Sequence, residues 1–130
     1  MAKRFRIEGS RVHDIPSLYA EIGRVLMPDE DWTLGESLDA LDDLLYGGFG
    51  VLDGDAAATV LWADHERSRA ALGMETTRRY YEDKLARPDV YNETTARSAL
   101  AALDAGTGPL YVELVLQVFA AHPNIELILD

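Results

Sequence analysis

The sequence predicts an α/β domain, a three-stranded, mainly parallel sheet with helices packed on it. Two observations predict this. Runs with strand character stand at Arg4 to Glu8, Ala57 to Ala63 and Ile125 to Asp130. Between them, apolar residues recur three and four apart, as on one face of a helix. Strands joined through helices pair in parallel. At 130 residues with 48% apolar content, the chain (1–130) is long enough for one domain with its own core.

In order, Arg4 to Glu8 alternates charged residues with Phe5 and Ile7, a strand with one buried face, and Gly9-Ser10 ends it. Ile15, Leu18, Tyr19, Ile22, Val25 and Leu26 form a helical stripe, with Asp14 as cap, Pro16 in the first turn and Met27-Pro28 as the stop. Asp29 to Leu34 is a loop carrying Trp32. Its ring is expected to fold over the core, the alternative being an exposed aromatic beside the next helix. That helix shows Leu38, Leu41, Leu44 and Leu45 on one face, Ser37 as N-cap, and Gly47 with Gly48 as stop. Two turns follow. Asp53-Gly54-Asp55 in the second lacks the later ligands and closing Glu of a calcium loop, so no metal is expected there. Ala57 to Ala63 reads as a strand buried on both faces.

Asp64 to Gly108 differs in composition. It holds seven basic and eight acidic residues, whereas the rest of the chain holds five and fifteen. Three helices are expected, over Asp64 to Met74, Thr77 to Arg87 and Glu93 to Asp104. Arg78, Arg79, Tyr80, Tyr81 and Tyr91 form either a contact surface or, the reading preferred, mixed charge over a helical lid. Pro109 to Ala121 is the most apolar helix, with Glu113 and Gln117 four apart on its exposed strip. The last strand then closes the sheet.

The net charge of −11 separates function classes. Phosphate contacts need Lys and Arg, so a nucleic-acid binder is not expected, and neither is docking on anionic lipid. The chain has no cysteine, hence no disulfide, thiol nucleophile or Cys-ligated zinc. The basic start at Met1 to Glu8 lacks an apolar signal-peptide region, and no apolar run approaches a membrane span. A soluble, cytoplasmic monomer is the expectation.

From Val25 to Ala63 there are nine acids and no Lys or Arg. Asp39 and Asp43 are four apart on the Leu38–Tyr46 helix, and Asp42 is three from Asp39, so like charges sit side by side at a cost of a few tenths of a kcal/mol. One reading is an exposed face kept for solubility. The other, favoured because ordinary surfaces mix signs, is a steering surface for a basic partner.

Two stretches carry a family resemblance. Leu34-Gly-Glu-Ser-Leu-Asp-Ala-Leu-Asp-Asp-Leu resembles an aromatic-Gly-Glu-Asn-Leu-Asp-Ala-Leu-Trp-Asp-Cys-Leu pattern. Val115-Leu-Gln-Val-Phe119 with Ile125-Glu-Leu-Ile-Leu129 resembles the end of the same family. The family is that of barstar, the intracellular inhibitors of barnase-type ribonucleases. The similar parts cover roughly residues 4 to 63 and 109 to 130. The resemblance implies a barstar-like fold with an extra helical insertion at about 64 to 108. It also implies that the second helix and the loop before it plug a ribonuclease active site, carboxylates standing in for RNA phosphates. By position, Asp39 matches an interface Asp and Asp43 the Asp that enters the phosphate site. Gly47 matches a contact-loop Gly, and Tyr46 stands where the family has Thr. There are departures. Asp42 replaces an interface Trp, Thr33 with Leu34 beside it replaces a loop aromatic, and Ala121 replaces an acidic contact. This fits an inhibitor of a related but different ribonuclease, and equally a paralogue that kept the fold and lost the target.

The expected function is stoichiometric inhibition of a basic ribonuclease or related cationic protein. Asp39 and Asp43 act as phosphate mimics, Glu36 and Asp42 as steering rim, and Leu34, Tyr46 and Gly47 as further contacts. The alternative is an interaction module that binds another partner through the 64–108 insertion. An enzyme is not expected, nor a cofactor. His13, His65 and His122 are far apart, and Asp64-His65-Glu66 is the only local cluster of acid–base groups, more simply read as a helix start with favourably placed acids.

Overall fold

The computed structural model describes residues 3–47, 49–52 and 57–130. Gly48 and the Asp53-Gly54-Asp55 stretch lie outside the described residues. The fold is α/β. The elements are β1 (Lys3–Glu8), a 3-10 turn (Gly9–Arg11), α1 (Ile15–Leu26), α2 (Leu38–Tyr46), β2 (Ala58–Ala63), α3 (His65–Ala71), α4 (Met74–Leu85), α5 (Glu93–Asp104), α6 (Tyr111–Ala120) and β3 (Ile125–Leu129). The sheet has the order β1-β2-β3, and both pairings are parallel. Each strand pairing therefore waits on a helical crossover.

Alternation along the strands sorts the side chains. Ile7, Val60, Trp62 and Ile125 face one way and are buried with Leu18, Ile22, Leu41, Leu44, Val112, Val115 and Phe119 of the helices in one core. The opposite face carries Arg4, Arg6, Thr59, Leu61, Glu126 and Ile128, none of them buried. The sequence reads β2 as buried on both faces, but only one is fully so: Val60 and Trp62 are buried, whereas Thr59 and Leu61 on the opposite face are half-buried.

Local chemistry sets the helix ends. Asp14 caps α1, its carboxylate accepting the Ser17 N–H while Ser17 Oγ accepts the Asp14 N–H. Glu113 reaches back to accept the Leu110 N–H at 2.8 Å, so it caps α6 rather than lying free on an exposed strip. α3 ends at Ala71, short of the expected Met74, and α4 begins at Met74, three residues before the expected start. Gly73 is the N-cap of α4 and offers no side-chain cap, so the break between α3 and α4 is carried by its backbone alone.

The stretch after β2 is not a detachable insertion at its start. Ser68 Oγ is fully buried, accepts Trp62 Nε1–H at 2.9 Å and donates to the Gly9 carbonyl at 3.0 Å. Leu72 lies in the main core. Asp64, in the left-handed region at φ 51°, turns β2 directly into α3. The close approach also explains Gly9, where a Cβ would collide with the backbone of Ala63 and Asp64. Thr77 of α4 is buried, donating from Oγ1 to the Gly73 carbonyl and accepting the Tyr111 N–H at 2.8 Å. α5 packs on α4, and Arg78 pairs with Asp104 across the two.

Candidate functional site, the acidic face of the second helix

α2 is short and sharply bounded. Ser37 Oγ accepts the Ala40 N–H at 3.0 Å, and Gly47 closes the helix in the left-handed conformation at φ 85°. Leu41, Leu44 and Leu45 are fully buried against the core. Burying three leucines fixes the roll of the helix and forces the positions between them outward.

Asp39 and Asp43 consequently emerge together, one turn apart and exposed. Neither has a hydrogen-bond or ion-pair partner among the described residues. Asp39 lies in the first turn, where the helix dipole favours its charge, and Asp43 has no such support. Glu36, just ahead of the cap, is exposed too. Gly47 is half-buried at the helix end and Tyr46 is 66% exposed.

Asp42 behaves differently. Its Oδ1 lies 2.7 Å from Nε2 of His122, which is only 5% exposed. The Tyr46 ring meets the same imidazole edge-on, with centroids 4.7 Å apart at 85°. Asp42 and Tyr46 thus grip one histidine from consecutive turns, tying α2 to the end of α6. Asp42 is accordingly a tethered group rather than a free rim charge. His122 was missed as a site residue because nothing nearby in sequence marks it; its partner is on another helix.

Two further expectations need correction. Leu34 is 6% exposed and belongs to the core, so its side chain is not a contact residue. Flanked by polar Thr33 and Gly35, it is the apolar plug that pins the loop. Trp32 does not fold into the core. It is 47% exposed, lies tilted on Phe49 at 4.9 Å, and donates from Nε1 to Glu30 at 3.2 Å. The other oxygen of Glu30 accepts the Gly50 N–H at 3.0 Å, joining this loop to the turn after α2. Between α1 and the loop runs an open cleft of about 780 Å³, whose lining includes Tyr19, Gly23, Met27, Trp32, Leu34 and Glu36.

Beneath the cleft the hydroxyls of Tyr19 and Tyr111 meet at 2.6 Å. Burial pushes the Tyr19 phenol up to about 12, and burial with the neighbouring Tyr19 pushes Tyr111 up as well. Both are fixed as neutral structural groups.

The Arg/Tyr surface of the 64–108 segment is largely satisfied within the chain. Arg78 is bound to Asp104 at 2.5 Å, Tyr80 packs on Tyr111, and Lys84 lies over the rings of Tyr80 and Tyr91. The mixed-charge lid describes it better than a free contact surface. Of the Asp64-His65-Glu66 cluster, His65 turns inward, 5% exposed, its ring perpendicular to Trp62 at 4.8 Å. Burial, followed by the charge of Arg69, lowers its pKa. Among the described residues no group of three or more His, Asp or Glu side chains is placed to hold a metal ion. No described helix is long and apolar enough to cross a membrane.

No protein-family model matches this chain, and no curated protein matches it.

Proposed function

We propose that the protein is a stoichiometric inhibitor of a basic ribonuclease, with the acidic face of α2 presented to the enzyme's phosphate-binding cations. The observation that carries the reading is the pair Asp39 and Asp43, exposed and unpartnered on a helix whose ends and roll are fixed. Asp39 and Asp43 stand one turn apart on a helix whose ends are fixed, so little backbone ordering is needed for an external cationic group to meet both. The absence of any Lys or Arg from Val25 to Ala63 supports it by leaving a single-sign field around that pair. The resemblance to the barstar family supports it independently, since Asp43 occupies the position of that family's phosphate-site Asp. In this reading Glu36 and Tyr46 border the contact, while Asp42 and His122 set its geometry.

The test is titration of the protein into barnase-type ribonucleases at two salt concentrations. One-to-one inhibition, with association slowed by salt, is expected. Asp43→Ala should abolish tight inhibition while leaving the circular dichroism spectrum unchanged, because the enzyme's buried cations lose their counter-charge. Full inhibition by Asp43→Ala would remove the site from consideration.

A further inference from the structure

The cleft between α1 and the Trp32 loop is kept open by a residue that packing does not require. Gly23 stands inside α1 and lines the cleft, and a Cβ added there would meet only Cβ of Leu34, at 4.0 Å. Glycine is the least favourable helix residue after proline. Its local effect here is to leave one wall of the cleft bare.

Trp32 lines the same cleft with a fixed indole. Phe49, which is not part of the lining, packs against the ring at 4.9 Å, and Glu30 accepts the indole N–H at 3.2 Å. Glu30 is fixed in turn, because its other oxygen accepts the Gly50 N–H at 3.0 Å. Both donors are neutral. An ionised carboxylate offers about four acceptor positions, so each oxygen keeps one for a further donor.

Three charged groups line the cleft. Arg24 is already met, since its Nε and Nη2 both donate to Glu21 at 2.7 Å. Glu30 and Glu36 have no ion-pair partner among the described residues. Asp29 and Asp31 flank Glu30 in sequence, and no Lys or Arg occurs from Val25 to Ala63. The cleft therefore offers an occupant an aromatic ring beside uncompensated negative charge.

We propose that it takes an arginine side chain presented by a basic polypeptide. The guanidinium stacks on Trp32 and forks onto the free acceptor positions of Glu30, Glu36 adds a second counter-charge, and the aliphatic stem lies along the bare wall at Gly23. Arginine suits the site better than lysine, because a planar guanidinium can stack and fork at once whereas an ammonium is a strongly hydrated point charge. Asp39 and Asp43 do not line the cleft, so the inference stands apart from the ribonuclease reading, in which only Glu36 is shared.

Nuclear magnetic resonance titration of the intact chain with a capped Gly-Arg-Gly peptide tests it. One side chain is a weak ligand, so a dissociation constant on the order of 1 mM is expected. The chain has two tryptophans and Trp62 is fully buried, which makes its indole N–H an internal reference. The Trp32 indole and the Gly23 amide should shift saturably while the Trp62 indole stays. A peptide with citrulline, the neutral analogue of arginine, should bind at least about tenfold more weakly, and one with lysine at least about threefold. Gly23→Leu should fill the cleft, keep the parent's circular dichroism and weaken binding at least about tenfold, and Glu30→Gln should weaken it at least about fivefold. Asp31→Asn removes the same charge from an exposed residue outside the lining and should cost less than about twofold. Shifts without saturation, citrulline binding as well as arginine, or undiminished binding by Gly23→Leu would overturn the proposal. Equal losses from Asp31→Asn and Glu30→Gln would overturn it too, leaving a general attraction for cations, and lysine binding as well as arginine would overturn the guanidinium assignment. No ribonuclease enters this titration, so its failure leaves the test of the acidic helix untouched.

Discussion

Asp42 and His122 belong to different ends of the chain, yet Oδ1 and Nε2 meet at 2.7 Å beneath the exposed ring of Tyr46. A buried imidazole that loses this acceptor keeps an unsatisfied nitrogen, which costs about 1–3 kcal/mol. Asp42→Ala and His122→Ala should each destabilise the fold by that order. In a double-mutant cycle followed by urea unfolding, the two should be non-additive by about 1 kcal/mol or more. Strict additivity would mean that the contact contributes only position.

Asp43→Ala should contrast sharply. Its carboxylate is exposed, unpartnered and close to other acids on α2. Removing it should leave stability within about 0.5 kcal/mol of the parent, or raise it slightly by relieving repulsion. The same denaturation experiment shows this, and it separates a docking role from a structural one.

Trp62, Ser68 and Gly9 form a buried relay in which one hydroxyl serves two backbone or ring partners. Ser68→Ala strands an indole N–H and a carbonyl where water has no easy access. A loss of about 2–4 kcal/mol is expected, summed over two unmet groups. The midpoint of urea unfolding should fall while its slope stays constant.

His65 makes stability depend on pH. Its imidazole titrates at 6.5 in its ordinary state and lower in the folded protein, because burial and then Arg69 disfavour the cation. As pH falls, the unfolded chain takes up this proton first. The contribution is therefore fully present above pH 6.5 and is lost as pH falls through the folded pKa. His65→Phe keeps a ring against Trp62 and removes Nε2, which has no hydrogen-bond partner. It should stabilise the protein by about 1 kcal/mol and flatten the mildly acidic limb of a stability–pH curve measured against the parent.

Much of this fold was legible because its punctuation is local. Asp14, Ser37, Gly47 and Asn92 mark helix ends with their own side chains or dihedrals, and α5 spans the Glu93–Asp104 expected of it. The α3–α4 boundary was harder to place, since Gly73 breaks the run without a side-chain cap to fix which residue begins the next helix. Exposure of Asp39 and Asp43 follows from leucine spacing, which is periodic information. The fates of Asp42, Leu34 and Trp32 depend on what another segment brings to them: His122, the core, and Phe49 with Glu30. Such pairings leave no trace in local composition. The open side of β2 was hidden for a related reason, because Thr-Val-Leu-Trp reads the same whether one face or two is covered.

The strand order has a consequence for how the molecule is made. β2 is central, and its Trp62-bearing edge is satisfied only by β3, which follows every other described element. During synthesis from the N-terminal end, the β1–β2 pair and its leucine-rich helices emerge with one sheet edge bare. An unpaired edge flanked by Val60 and Leu61 is a template for stray pairing. The long passage through α3, α4 and α5 prolongs that interval, and the acid-rich first half, by repelling like chains, protects the nascent sheet until its last strand arrives.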